Sequence, residues 1–191
     1  MVVLEAAKGE DLDSFIKKAY ATYSLNDLRK NFLKIGQTIG NLHSYQSKIE
    51  NKKNITGFIH GDLTFGNIFY DVASEKVSLI DYVNFSSSTM MLSYIRDFLT
   101  SGAATSLKPL IEECDSKENA LKIKTIFESL QEGLEEAFKS SPQMLAIIKY
   151  HVRVLVNPQI KDIENFLKKY FTKDELPDLE IIEQEYNNAI K

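Results

Sequence analysis

Residues 58–81 constrain this chain more than any other stretch. Phe58-Ile59 is apolar, and His60-Gly61-Asp62-Leu63-Thr64-Phe65-Gly66-Asn67 is a loop sequence. Two further apolar runs, 68–70 and 76–80, flank the turn-forming residues 71–75, and Asp81 closes the stretch. The pattern predicts strand, loop, hairpin and then a carboxylate. Such a path fixes three polar side chains: Asp62 in the loop, Asn67 where the hairpin begins, and Asp81 where it ends. The spacing H-x-D-x-x-x-x-N, with a second Asp after a hairpin, is that of a phosphoryl-transfer site. That chemistry asks side chains mainly for positioning and charge neutralisation. Asp62 is the candidate base for a substrate hydroxyl. Asn67 and Asp81 are the candidate ligands of Mg²⁺, offering the oxygen donors that this hard cation prefers. Taken singly, each is an ordinary loop or turn residue.

Around this stretch the periodicity is mostly helical. A short strand is expected over 2–6, and a helix over 10–23 with Leu12, Phe15, Ile16 and Ala19 on one face. Ser24 is an N-cap for a long helix over 25–49, with the stripe Leu28, Phe32, Ile35, Ile39 and Leu42. After the hairpin, 81–89 reads as a polar loop and 90–104 as a helix with Met91, Tyr94, Ile95 and Phe98 inward. Helices are expected over 117–139, over 142–154 (opened by Ser141-Pro142), over 159–171 and over 179–190. The expected fold is mainly α with a small β-hairpin sheet. No repeat or linker divides it, so 1–191 is expected to be a single domain.

Composition narrows the function classes. The net charge of −4 supplies no basic excess for a phosphate backbone, so no nucleic-acid partner is expected. Cys114 is the only cysteine, which excludes an internal disulfide framework. No apolar run has the length of a membrane span and no signal peptide opens the chain, so the expectation is a cytoplasmic protein with no membrane partner.

At the residues of the loop the chain resembles the aminoglycoside phosphotransferase and choline kinase superfamily, relatives of the protein kinases. Gly61 after His60 and Ile80-Asp81-Tyr82 in place of Asp-Phe-Gly favour this group over protein kinases. Val2-Val3-Leu4-Glu5 with Lys8-Gly9-Glu10-Asp11-Leu12 resembles the family's hinge strand. Gly40-Asn41-Leu42-His43 resembles the end of its long helix, and Arg96-Asp97-Phe98-Leu99 its Asp-bearing helix. The resemblance covers about half the chain; beyond Leu107 it does not extend. Thr64 departs from the Lys that Ser/Thr protein kinases place there.

The resemblance implies a kinase-like C-lobe with the N-lobe absent: a hinge strand over 1–7, a catalytic and metal-binding segment over 60–81, and a helical substrate region over 108–191. Glu5, Ala6 and Ala7 would face an adenine ring, and ATP and Mg²⁺ would be the cofactors. His60 would pack under the loop and bond backbone, and Asp97 would support the loop or, failing that, pair with Arg96 in solvent. The implied function is ATP-dependent transfer of the γ-phosphoryl group to the hydroxyl of a small molecule. Glu164, Asp174, Glu175, Asp178, Glu180, Glu183 and Glu185 would suit a cationic acceptor, or form a solvated helix face. The alternative is a non-catalytic kinase-like binding module, or a truncated remnant. Lacking N-lobe groups over the phosphates, the chain alone is expected to bind ATP weakly. The bare face around the N-terminal strand and 60–81 is expected to pair with a second copy, as a two-fold dimer, or with another chain.

Overall fold

The computed structural model describes residues 6–45, 47–51, 54–60, 62–81, 86–88, 91–154 and 158–191. β1 (Glu10–Asp11) leads into α1 (Leu12–Thr22) and α2 (Leu25–Ser44). The strands β2 (Lys48–Asn51), β3 (Asn54–Ile59), β4 (Ile68–Asp71), β5 (Lys76–Leu79) and β6 (Ser86–Ser88) follow. The rest is helical: α3 (Met91–Asp97), a π-helical segment Phe98–Ala104, α4 (Thr105–Glu112), α5 (Lys117–Glu136), α6 (Pro142–Arg153), α7 (Pro158–Tyr170) and α8 (Leu179–Ala189). The fold is mainly helical with a small content of antiparallel sheet.

The helices begin where the sequence supplies a cap. Asp11 accepts from the Ser14 amide, Ser24 from Asp27, Ser116 from Asn119, and Ser141 from Met144 with Pro142 in the first turn. Each side chain satisfies a donor that the helix itself leaves open. Leu12, Phe15, Ile16 and Ala19 of α1 and Leu28, Phe32, Ile35 and Ile39 of α2 are fully buried. Leu42, next on the α2 stripe, is only half-buried, and His43 takes the buried position instead.

α2 and α5 cross closely because glycines face backbone. A Cβ on Gly36 would lie 2.4 Å from the Leu130 carbonyl oxygen, and one on Gly133 would lie 2.3 Å from that of Leu33. Removing two side chains from the crossing lets the helix backbones approach nearer than ordinary ridges and grooves allow. The crossing makes α5 the partner of the helix that precedes the loop.

Two three-stranded antiparallel sheets carry the loop. β4 pairs with β5, Ile68 opposite Leu79 and Tyr70 opposite Val77, and β1 lies on the other side of β4 with Glu10 opposite Tyr70. Gly9, at φ 96°, turns the chain into β1; a Cβ there would meet the Tyr70 carbonyl oxygen at 2.2 Å. In the second sheet β3 is central, flanked by β2 and β6. Several boundaries differ from the sequence reading. The helix expected over 10–23 gives up its first two residues to β1, because β4 offers them a ladder. The long helix stops at Ser44, and Lys48–Asn51 becomes β2, paired with β3 through Ile49 opposite Ile55. The expected loop 81–89 contains β6, which pairs three serines with Gly57, Phe58 and Ile59. Polar, unpatterned serines give no strand signal; the edge of β3 recruits them. The strand expected over 2–6 falls largely outside the described residues.

Candidate functional site

β3 delivers the chain into the loop, and the end of α2 holds β3 in place. His43 Nδ1 donates to the Phe58 carbonyl oxygen at 2.6 Å. Burial pushes the His43 pKa down to about 4. Burial also lowers His60, outweighing hydrogen bonds with the backbone of Ile80 and Asp62 and the nearby Asp62 and Asp81 carboxylates. Both rings are fully buried and uncharged at neutral pH. The buried His60 ring is closed to solvent.

The loop alternates between core and solvent. Leu63 and Phe65 are buried, while Asp62 and Thr64 are exposed. A 3₁₀ turn over Phe65–Asn67 closes it, with the Asn67 amide donating to the Thr64 carbonyl at 3.0 Å. Asn67 Nδ2 donates both to the Asp62 carbonyl oxygen at 3.0 Å and to Asp62 Oδ2 at 3.2 Å. That commits the amide nitrogen to Asp62 and leaves the amide oxygen as the side chain's acceptor. The Ile80 amide donates to the Asn67 carbonyl at 3.0 Å, tying the end of β5 to the start of β4. Asp81 therefore follows directly on a residue bonded to Asn67. Its backbone sits at φ 55° and its side chain is exposed. A left-handed non-glycine residue costs about 1–3 kcal/mol and is found where the surroundings impose it, often at functional sites.

Alongside lies a cleft of about 310 Å³, lined by Ala6, Ala7 and Lys8 on one side and by Asp71, Ser74, Lys76, Ser78, Leu79 and Ile80 on the other. It runs along β5 to the residue before Asp81, and its size suits a small ligand. The structure thus joins Asn67 to Asp62 by side-chain hydrogen bonds and to the residue before Asp81 through the backbone, buries His60, and lines the cleft with Ala6 and Ala7. Glu5 lies outside the described residues. Asp97 is the last residue of α3; its side chain also lies outside them.

Among the described residues no three His, Cys, Asp or Glu side chains converge as a wholly protein-built metal site would require. An amide oxygen and one carboxylate suit a cation that takes its remaining oxygens from phosphates and water, as Mg²⁺ does. The acidic C-terminal residues are partly engaged elsewhere: Glu175 pairs with Lys117 and Glu185 with Lys149. Glu164 is raised by burial beside a small cavity of about 80 Å³ between α5 and α7. Tyr150 and Tyr186 stack on each other at 3.9 Å and join α6 to α8, and Tyr170 donates to the Cys114 carbonyl at 3.1 Å, tying α7 to the turn before α5.

Ser78 on the cleft, and Gly102, where a Cβ would lie 2.3 Å from the Phe65 ring, carry no local motif; a glycine isolated in a helical pattern is the one signal for the latter. No protein-family model, curated protein or solved structure matches the chain. Among the described residues no helix is long and apolar enough to cross a membrane.

Proposed function

We propose that the chain is the catalytic, helical part of an ATP-dependent phosphotransferase of the aminoglycoside phosphotransferase and choline kinase type, acting on a hydroxyl of a small molecule. The supporting observation is the bonding of Asn67. Its amide nitrogen is held by Asp62 while its backbone carbonyl accepts from Ile80, the residue before Asp81, which supports reading the three as one site. In this reading Asp62 orients the acceptor hydroxyl and takes its proton as the oxygen attacks the γ-phosphorus and ADP leaves. The Asn67 amide oxygen and the Asp81 carboxylate would hold Mg²⁺, which supplies charge neutralisation at the phosphates. The cleft between Ala6-Ala7 and β5 would take the nucleotide base.

Phosphate release and transfer from ATP to a panel of amino sugars and amino alcohols is the test, with Mn²⁺ binding in the presence of ATP measured in parallel. Asp81→Asn and Asn67→Ala are expected to weaken Mn²⁺ binding about tenfold or more, each removing one of few protein donors. Asp62→Asn is expected to leave Mn²⁺ bound and to lower turnover at least about a hundredfold. Mn²⁺ binding indifferent to both Asn67 and Asp81, or turnover indifferent to Asp62, would overturn the reading.

A further inference from the structure

The residue that opens the Asn67 turn is seated on a π-helical segment, and the contact leaves no room for a side chain. Phe65 is buried, its ring 5.2 Å from that of Phe98, the first residue of the segment. Four residues on, a Cβ on Gly102 would lie 2.3 Å from Phe65 Cε1 and 2.4 Å from Cδ1. A π turn inserts a residue into a helix at some cost to its hydrogen-bond geometry and recurs mostly at functional sites. Here Phe98 and Gly102, both within the segment, contact the same phenyl ring.

From this packing we infer that Gly102 and Phe65 are positioning residues: the glycine admits the ring, and the ring fixes the turn that holds Asn67 against Asp62. The chain of contacts is short. Phe65 starts the 3₁₀ turn, Asn67 ends it, and Asn67 bonds the Asp62 carboxylate, the Asp62 backbone and the Ile80 amide. A methyl group on Gly102 displaces the ring, because neither the glycine backbone nor the buried Phe98 beside it can retreat in a close-packed core. The turn then moves as a unit, and the separation of Asp62, Asn67 and Asp81 changes with it. What the positioned groups do rests on the phosphotransferase reading; that they are positioned from Gly102 does not.

The test uses the full chain with Gly102→Ala, Phe65→Leu and the double variant. Amide hydrogen exchange at Asn67 and Ile80 is the readout for positioning, and Mn²⁺ affinity the readout for the site. In Gly102→Ala the protection of both amides is expected to fall roughly tenfold or more, with that of the α2–α5 core unchanged. The double variant, in which the smaller leucine accommodates the methyl, is expected to recover most of that protection, and Mn²⁺ affinity is expected to follow the same pattern. Folded Gly102→Ala with unchanged protection at Asn67 and Ile80 overturns the inference. So does a double variant no better than the single. Should Gly102→Ala fail to fold, Phe65→Leu decides: a loosened Asn67 amide supports the seat, and an unchanged one overturns it. Loss and recovery of protection in a chain that binds no Mn²⁺ even with ATP present would leave the seat standing and sink the phosphotransferase reading instead.

Discussion

Tyr70 shows how one buried polar side chain registers the hairpin on the long helix. Its hydroxyl donates to Asn31 Oδ1 at 2.7 Å, and Asn31 in turn donates to the Asp27 carbonyl at 2.7 Å. Burial raises the Tyr70 pKa to about 12, so the hydroxyl remains a donor at every physiological pH. Its ring meets that of Phe15 edge-on at 5.0 Å, bringing α1 into the same contact. Tyr70→Phe keeps the ring but strands the Asn31 oxygen in a site only 6% exposed. The expected cost is about 1–3 kcal/mol, seen as a lower urea midpoint at unchanged slope. Adding Asn31→Leu should recover part of that loss, since a pair of apolar groups leaves nothing unsatisfied.

Among the elements, the α2–α5 crossing sets two effects of known size against each other. In an isolated helix Gly36→Ala would be stabilising by roughly 1 kcal/mol, through propensity alone. At the crossing the new methyl would sit 2.4 Å from a backbone oxygen, which cannot rotate away. Overpacking of that kind costs about 1–3 kcal/mol or more. The net expectation is destabilisation, with Tm lowered by about 2–4 °C for each net kcal/mol in a chain of this size. A raised Tm would show that α5 slides freely along α2. The same crossing supports the site indirectly, because the last turn of α2 carries His43, which holds the strand entering the loop.

For the molecule as a whole, His43 makes stability depend on pH. Its pKa is lowered in the fold, to about 4 from an ordinary value of 6.5, so the unfolded chain binds the proton more readily between those values. Stability is therefore full above about pH 6.5 and falls as pH drops toward 4, by about 3 kcal/mol across the window. His60, lowered by burial too, acts in the same direction. Denaturant unfolding measured from pH 7 to pH 4 should show that slope. His43→Gln, which keeps a donor for the Phe58 carbonyl without titrating, should make it shallower, leaving the share due to His60. A slope as steep in His43→Gln as in the native chain would place the titrating group elsewhere.

Much of this architecture can be read without coordinates, for local reasons. Caps such as Ser24, Ser116 and Ser141 act within three residues, and the stripes on α1 and α2 repeat with the helical period, so both lie open in the sequence. The hairpin is also local: Ile68 and Leu79 face each other because the turn between them is short. The spacing of Asp62, Asn67 and Asp81 comes from the same covalent path, and the bond from the Ile80 amide to Asn67 follows from it. Other features depend on partners distant in the chain. Ser86–Ser88 is a strand only because β3 has a free edge, and Lys48–Asn51 leaves the helix for the other side of that strand. Gly36 and Gly133 have no meaning until two helices nearly 100 residues apart are laid across each other. Gly102 is an unremarkable helical residue until the ring of Phe65 arrives against it. The sequence by itself determined which groups sit on the loop and hairpin, because backbone connectivity sets those distances. Tertiary packing alone decided how firmly they are held, because that depends on backbone-to-ring and backbone-to-backbone approaches that no local pattern encodes.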